Sequence, residues 1–206
     1  MKSFDIYLVA SKGLRSEVEF LNIIEASLKA GLGILQLREK KLSSLEFYNL
    51  ALKVKRLCDV YNTPFVVNDR IDIAMSVNAS GVHIGQEDIP LKKARELLGN
   101  DKIIGISINH KNELKNIKEA DYIGVGAVFA TPSKKDCVVL GVDGLKEIAN
   151  LSPLPVVAIG GIDENNVILL RNCKIKGVAV IRAIMDSKNP FLSTLNLKKI
   201  FSEFSK

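Results

Sequence analysis

The chain is poor in the features that mark several large classes of protein. Its 206 residues hold three cysteines, Cys58, Cys137 and Cys173, odd in number and widely spaced, with no C-x-x-C pair. Neither a disulfide framework nor a zinc site is indicated. Cys58 and Cys173 read as small packing residues, while Cys137, in a polar stretch, stays open. No apolar run approaches the ~18–20 residues needed to cross a bilayer. The N-terminus also lacks the basic, apolar and small-residue order of a signal peptide, so the expectation is a cytoplasmic protein with no membrane partner. The net charge of +6 and a pI near 9.2 raise nucleic acid as a partner. Massed basic runs are missing, however. Clusters such as Lys111 to Lys115 are broken by Glu113 and Leu114, which suits solvated helix faces, and no nucleic-acid partner is expected. No linker or low-complexity segment divides the chain. At 47% hydrophobic and 25% charged residues it reads as one domain, residues 1–206, around one sizeable core.

What is present is one unit repeated eight times. Short β-rich runs begin at Ile6, Ile34, Pro64, Gly81, Ile103, Tyr122, Val156 and Gly177, each about four residues long. Between them lie amphipathic stretches, among them Val18 to Leu28, Leu45 to Tyr61, Pro90 to Leu98 and Val167 to Arg171. Pro90 suits a first helical turn, and Gly31 and Gly99 suit helix exits. Continuous apolar runs, as opposed to alternating ones, are what a parallel sheet covered by helices requires. Eight such units predict a single-domain TIM (β/α)8 barrel; the alternative, an open doubly wound sheet, usually stops at about six strands.

In a barrel of this kind chemistry sits where the strands end. Polar residues collect there. Gln36, Arg38 and Lys40 follow the second run, Asn68 and Asp69 the third, and His83, Gln86 and Asp88 the fourth. Ser107, Asn109 and His110 follow the fifth, Thr131-Pro132-Ser133-Lys134-Lys135-Asp136 the sixth, and Gly160-Gly161 the seventh. Arg brings a planar fork that grips phosphate, Lys a mobile point charge, and Gln a neutral polar edge. The other reading of Gln36 to Lys40 is a strand that simply ends in solvated charges.

Asp69 and Asp88 stand one βα step apart. Two hard oxygen donors beside bound phosphates describe a Mg2+ site, and both positions equally suit helix N-caps, at Ile71 and at Pro90. Gly160-Gly161, followed by Asp163 and a helix expected from Asn165, offers backbone N–H groups to a phosphate, or else a tight turn that needs positive φ. His83 reads as a satisfied structural histidine and His110 as a surface residue at a helix start, with general acid or base chemistry the sharper alternative for His110.

The strings Gln36 to Lys40, Val67-Asn68-Asp69, Gly81 to Asp88, Gly105-Ile106-Ser107, Thr131 to Asp136 and Ala158 to Ile162 resemble the thiamine phosphate synthase family, in order and in spacing, from about Ile6 to Pro190. The resemblance implies a barrel enzyme joining 4-amino-2-methyl-5-(diphosphooxymethyl)pyrimidine to hydroxyethylthiazole phosphate, with release of diphosphate and formation of thiamine monophosphate. It implies that Gln36, Arg38, Lys40, Asn68, Ser107 and Lys134 bind the pyrimidine diphosphate, with Arg38, Lys40 and Lys134 acting in catalysis. Leu37, Glu39 and Pro132 fall inside the same binding strings. Asp69 and Asp88 match the family's magnesium ligands. Thr131 and Ser133 match the loop that meets the thiazole phosphate, Gly161 a backbone contact to that phosphate, and Ile181-Arg182 the last phosphate-binding step. The family's dissociative mechanism needs no protein nucleophile, which agrees with the lack of an evident Ser/His/Asp triad. Two positions depart from the family, which usually carries Thr at 133 and Ser at 182. The rivals are a thiazole tautomerase of the sister family and a noncatalytic phosphate-ligand binder. Against the tautomerase stand Asp88 and the Thr-x-Ser-Lys loop. A homo-oligomer formed through the helices is compatible with the sequence.

Overall fold

A computed structural model of the chain describes residues 4–131 and 138–204. Eight parallel strands close into a barrel in sequence order: β1 (Ile6–Ala10), β2 (Ile34–Leu37), β3 (Phe65–Asn68), β4 (Gly81–Ile84), β5 (Ile103–Ile108), β6 (Tyr122–Val125), β7 (Val156–Ile159) and β8 (Gly177–Val180), with β8 pairing back onto β1. Every expected run is a strand. The third begins one residue later than its apolar run and takes in Asn68, and the fifth extends through Ser107 to Ile108. Side chains that the sequence places in loops therefore stand on strands, where the ladder fixes them.

Outside the ring lie α1 (Glu17–Lys29), α2 (Ser44–Val60), α3 (Ile71–Ser76), α4 (Leu91–Leu98), α5 (Gly141–Leu151), α6 (Arg182–Met185) and α7 (Pro190–Ser202). Local chemistry sets their ends. Ser43 and Glu46 form a capping box that starts α2, and the Ser16 hydroxyl accepts the Glu19 N–H at the start of α1. Gly31, at φ +85°, and Gly99, at φ +73°, take the left-handed exits expected of them. Pro90 is the N-cap of α4, one residue before the first turn. Two crossovers carry 3-10 helices, Lys111–Asn116 and Val167–Leu170. The latter replaces the helix expected from Asn165. Asp163 Oδ1 accepts the N–H groups of Asn165 and Asn166, and Asn166 Oδ1 accepts that of Asp163, so the chain is held in a turn there.

Burial falls into two layers. The larger packs the outward strand faces, including Leu8, Leu35, Leu37 and Val67, against Phe20, Phe47 and other helix residues. The smaller fills the barrel with Tyr7, Val9, Ile34, Val66, Tyr122 and Val157. Gln36 and Asn68 follow Ile34 and Val66 by two, so the strand alternation points them inward, toward the C-terminal mouth.

Candidate active site

The mouth is built from the ends of β2, β3, β4 and β5. Gln36 is buried on β2, and the Arg38 N–H donates to the Ala10 carbonyl, which extends the β1–β2 ladder one step beyond the strand. The Arg38 guanidinium makes no hydrogen bond or ion pair with the described residues, while Lys40 Nζ pairs with Asp69 Oδ2. Two members of the string turn elsewhere. Leu37 is fully buried in the outer layer, so only its backbone is near the mouth. Glu39 accepts the Lys12 N–H and bonds the Ser11 side chain, tying the β1 loop to the β2 loop; burial pushes its carboxyl up.

Neither aspartate caps a helix. The N-cap of α3 is Arg70 and that of α4 is Pro90, and neither helix has a side-chain cap bond. Asp69 instead sits in the left-handed region at φ +59°, just past the end of β3, with the Asp88 carboxyl near enough to raise its pKa. Asp88 Oδ2 also accepts the Gly85 N–H at 2.6 Å. Burial pushes the Asp69 carboxyl up, Lys40 draws it down, and Asp88 pushes it up again. Two neighbouring carboxylates, when both are ionised, and one ammonium beside them carry a net negative charge that a divalent cation would relieve. Among the described residues no three His, Cys, Asp or Glu side chains group around a common point. Two carboxylates are the donor set that suits Mg2+, which completes its shell with water and substrate phosphate.

Across the mouth, Gly160 and Gly161 take φ +105° and +63°. A Cβ on Gly161 would lie 2.7 Å from the Ala130 carbonyl oxygen, so the turn admits only glycine and packs directly on the chain after β6. Asn166 Nδ2 fixes the Gly161 carbonyl at 2.8 Å. Ile181 packs between the two core layers. The Arg182 side chain runs along α6, with Nε donating to Asp186 Oδ2 at 3.0 Å, and is 61% exposed; Arg15 bonds the other oxygen of Asp186. Thr131 is described; Pro132, Ser133, Lys134 and Cys137 lie outside the described residues. His110 is exposed at the start of a 3-10 helix, where the Glu113 carboxylate accepts its N–H.

The thiamine monophosphate synthase family profile matches residues 6–184. A thiamine-phosphate synthase of Campylobacter jejuni is 49% identical over 201 residues, 97% of this chain and 95% of that protein. One of Methanobrevibacter smithii is 50% identical over 198 residues, covering 95% and 94%. The solved structure of thiamine phosphate pyrophosphorylase from Pyrococcus furiosus superposes with a TM-score of 0.90 at 33% identity, covering 98% of each chain. The chain belongs to the thiamine monophosphate synthase family.

Beneath the charged rim, this member of the synthase family has a second polar layer in which Tyr7 and Tyr122, outside the motif strings, join residues within them. Gln36 Nε2 donates to Tyr7 Oη at 2.6 Å, Tyr7 Oη meets Tyr122 Oη at 2.8 Å, Tyr122 Oη meets His83 Nδ1 at 2.9 Å, and His83 Nε2 meets Ser107 Oγ at 3.0 Å. The expectation of a satisfied structural histidine holds, since both His83 nitrogens are bonded. Enclosure lowers its pKa from the ordinary 6.5 to about 4, so the ring is neutral at pH 7. Around the ring the register runs His83, Gly105, Tyr122 and, one step toward the mouth, Ser107, Gly124. A Cβ on Gly105 would lie 2.1 Å from Tyr122 Cζ and 2.5 Å from His83 Nδ1, and one on Gly124 3.0 Å from His83 Cε1. The two glycines are the slots through which the rings touch. Glycine inside a strand is the one sequence signal that marks them.

Proposed function

We propose that the chain joins the pyrimidinylmethyl diphosphate to hydroxyethylthiazole phosphate, giving thiamine monophosphate and diphosphate, with Mg2+ held by Asp69 and Asp88. The observation that carries the reading is that neither of those two carboxylates caps a helix, and that Asp69 pairs with Lys40 at the mouth of β2 and β3 with Asp88 near enough to raise its pKa. The bond from the methylene carbon to the diphosphate oxygen breaks, its electron pair leaves with diphosphate, and the thiazole nitrogen supplies the pair for the new carbon–nitrogen bond. When bound, Mg2+ adds positive charge against the diphosphate as charge develops there. Arg38 and Lys40 are aimed at the same charge, and the fixed strand positions of Gln36, Asn68 and Ser107 hold the pyrimidine side without reorganisation. Lys134, which follows β6 in sequence, is assigned to the diphosphate on the family resemblance. Gly161, and the backbone at Ile181 and Arg182, serve the thiazole phosphate across the mouth, so the two substrates meet over the barrel axis.

The test of the metal assignment reads binding as well as turnover. Calorimetric titration with Mg2+ and diphosphate should show metal-dependent diphosphate binding in the natural chain that Asp88→Asn weakens at least tenfold. Equal binding by both proteins would remove the metal from these residues. Turnover of a thiazole tautomer in place of condensation would move the chain to the sister activity.

A further inference from the structure

The interior chain Gln36–Tyr7–Tyr122–His83–Ser107 links a residue of β2 to a residue of β5 beneath the rim. Each hydroxyl carries one proton and a neutral imidazole carries one N–H. Four arrangements give every link one donor. In one, Gln36 donates to Tyr7, Tyr7 to Tyr122, Tyr122 to His83 Nδ1, and His83 Nε2–H to Ser107 Oγ. In the other three His83 carries its proton on Nδ1 and donates it to Tyr122, while Ser107 donates to Nε2; two of these leave a phenol proton unpaired and the third reverses every donor. The Tyr122–His83 bond selects the first. A phenol O–H is a stronger donor than an imidazole N–H, and the bare imidazole nitrogen a stronger acceptor than a phenol oxygen, so Tyr122 donates to Nδ1. With that proton committed, Tyr7 must donate to Tyr122 and Gln36 Nε2 to the fully buried Tyr7, which is the orientation the Gln36 amide takes.

We infer that the chain has this single polarity, and that Tyr7, Tyr122 and His83 are positioning residues. They fix His83 as the Nε2–H tautomer, leave the Ser107 hydroxyl free to donate at the mouth, and leave the Gln36 amide oxygen free to accept there. Ser107 thereby presents a donor to an anionic or lone-pair group of the ligand, and Gln36 an acceptor to an amino group. The Gly105 and Gly124 slots serve this arrangement, since any side chain at Gly105 would separate His83 from Tyr122. The use made of it by substrate rests on the synthase reading; the polarity itself does not.

The chain has two histidines, so nitrogen-15 labelling of histidine gives two ring systems, and His110→Gln assigns them. The expected spectrum at neutral pH has a pyridine-type Nδ1 and a protonated, pyrrole-type Nε2 for His83. In Tyr122→Phe, which keeps the ring, the His83 resonances should move toward a mixture of tautomers. The Michaelis constant for the pyrimidine diphosphate should rise about tenfold, the equivalent of one hydrogen bond, with kcat within about threefold. An Nδ1–H tautomer in the natural protein, averaged shifts from both tautomers, or a Tyr122→Phe protein with unchanged tautomer and unchanged Michaelis constant would overturn the inference. The natural-protein spectrum needs no variant to fold. An Nε2–H tautomer in a protein that fails to condense the two substrates would leave the polarity standing and defeat the synthase reading alone.

Discussion

Asp88 carries the sharpest residue-scale claim, because the sequence left it between capping and metal binding. It caps no helix, raises the pKa of Asp69 from nearby, and accepts the Gly85 N–H. Asp88→Ala should lower kcat at least about 100-fold, the scale of removing a preorganised electrostatic contribution. The unfolding midpoint should fall by only about 2–4 °C, the equivalent of one hydrogen bond in a chain of this size. Thermal unfolding followed by circular dichroism, beside steady-state rates, separates the two effects. A variant that unfolds readily yet keeps its rate per folded molecule would return Asp88 to a structural role. Arg182 makes the opposite claim. Its guanidinium is engaged along α6 with Asp186 and is largely exposed, so Arg182→Ser, the family's usual residue, should leave the Michaelis constant for the thiazole phosphate within about twofold. A large change would put that side chain in the pocket.

At the scale of elements, all eight strands were legible because a buried parallel strand is a continuous apolar run, and such runs are rare elsewhere in this chain. The 3-10 crossovers were not. The Asp163–Asn166 turn is made by side-chain bonds that override the helical spacing of Val167 to Arg171. The polar residues at strand ends were legible as a set, since the barrel rule says where to look. Which side of the strand each occupies followed only once the ladder showed Gln36 facing in and Leu37 facing out. The Tyr7–Tyr122 contact was beyond reading, because it joins positions 115 apart that only barrel closure brings together. Its trace is Gly105. Gly105→Ala should destabilise by about 2 kcal/mol or more, since the new methyl meets a tyrosine ring that packing holds in place. That corresponds to a drop of roughly 4–8 °C in the unfolding midpoint. An unchanged midpoint would mean that the two rings do not share the slot.

For the molecule as a whole, the barrel confines a neutral imidazole and sets a charged rim above it. The confinement has a pH signature whose sign is fixed. His83 binds its proton near pH 4 in the folded chain and near 6.5 in the unfolded one, so between these values the unfolded chain holds more protons. Stability contributed by the neutral ring is complete above pH 6.5 and is lost as the pH falls toward 4. Denaturant midpoints measured across this range should show that loss in the natural chain and less of it in His83→Gln; parallel curves would contradict the enclosure. The rim makes the larger claim, that paired carboxylates and strand-end cations serve a metal-assisted transfer of a pyrimidinylmethyl group. Its most direct test is the formation of thiamine monophosphate from the pyrimidine diphosphate and the thiazole phosphate, followed with Mg2+ and then with a chelator. Product with Mg2+, none with the chelator, and recovery on adding excess Mg2+ is the predicted result. An equal rate with the chelator, or no product from verified substrates while a thiazole tautomer is turned over, would contradict it.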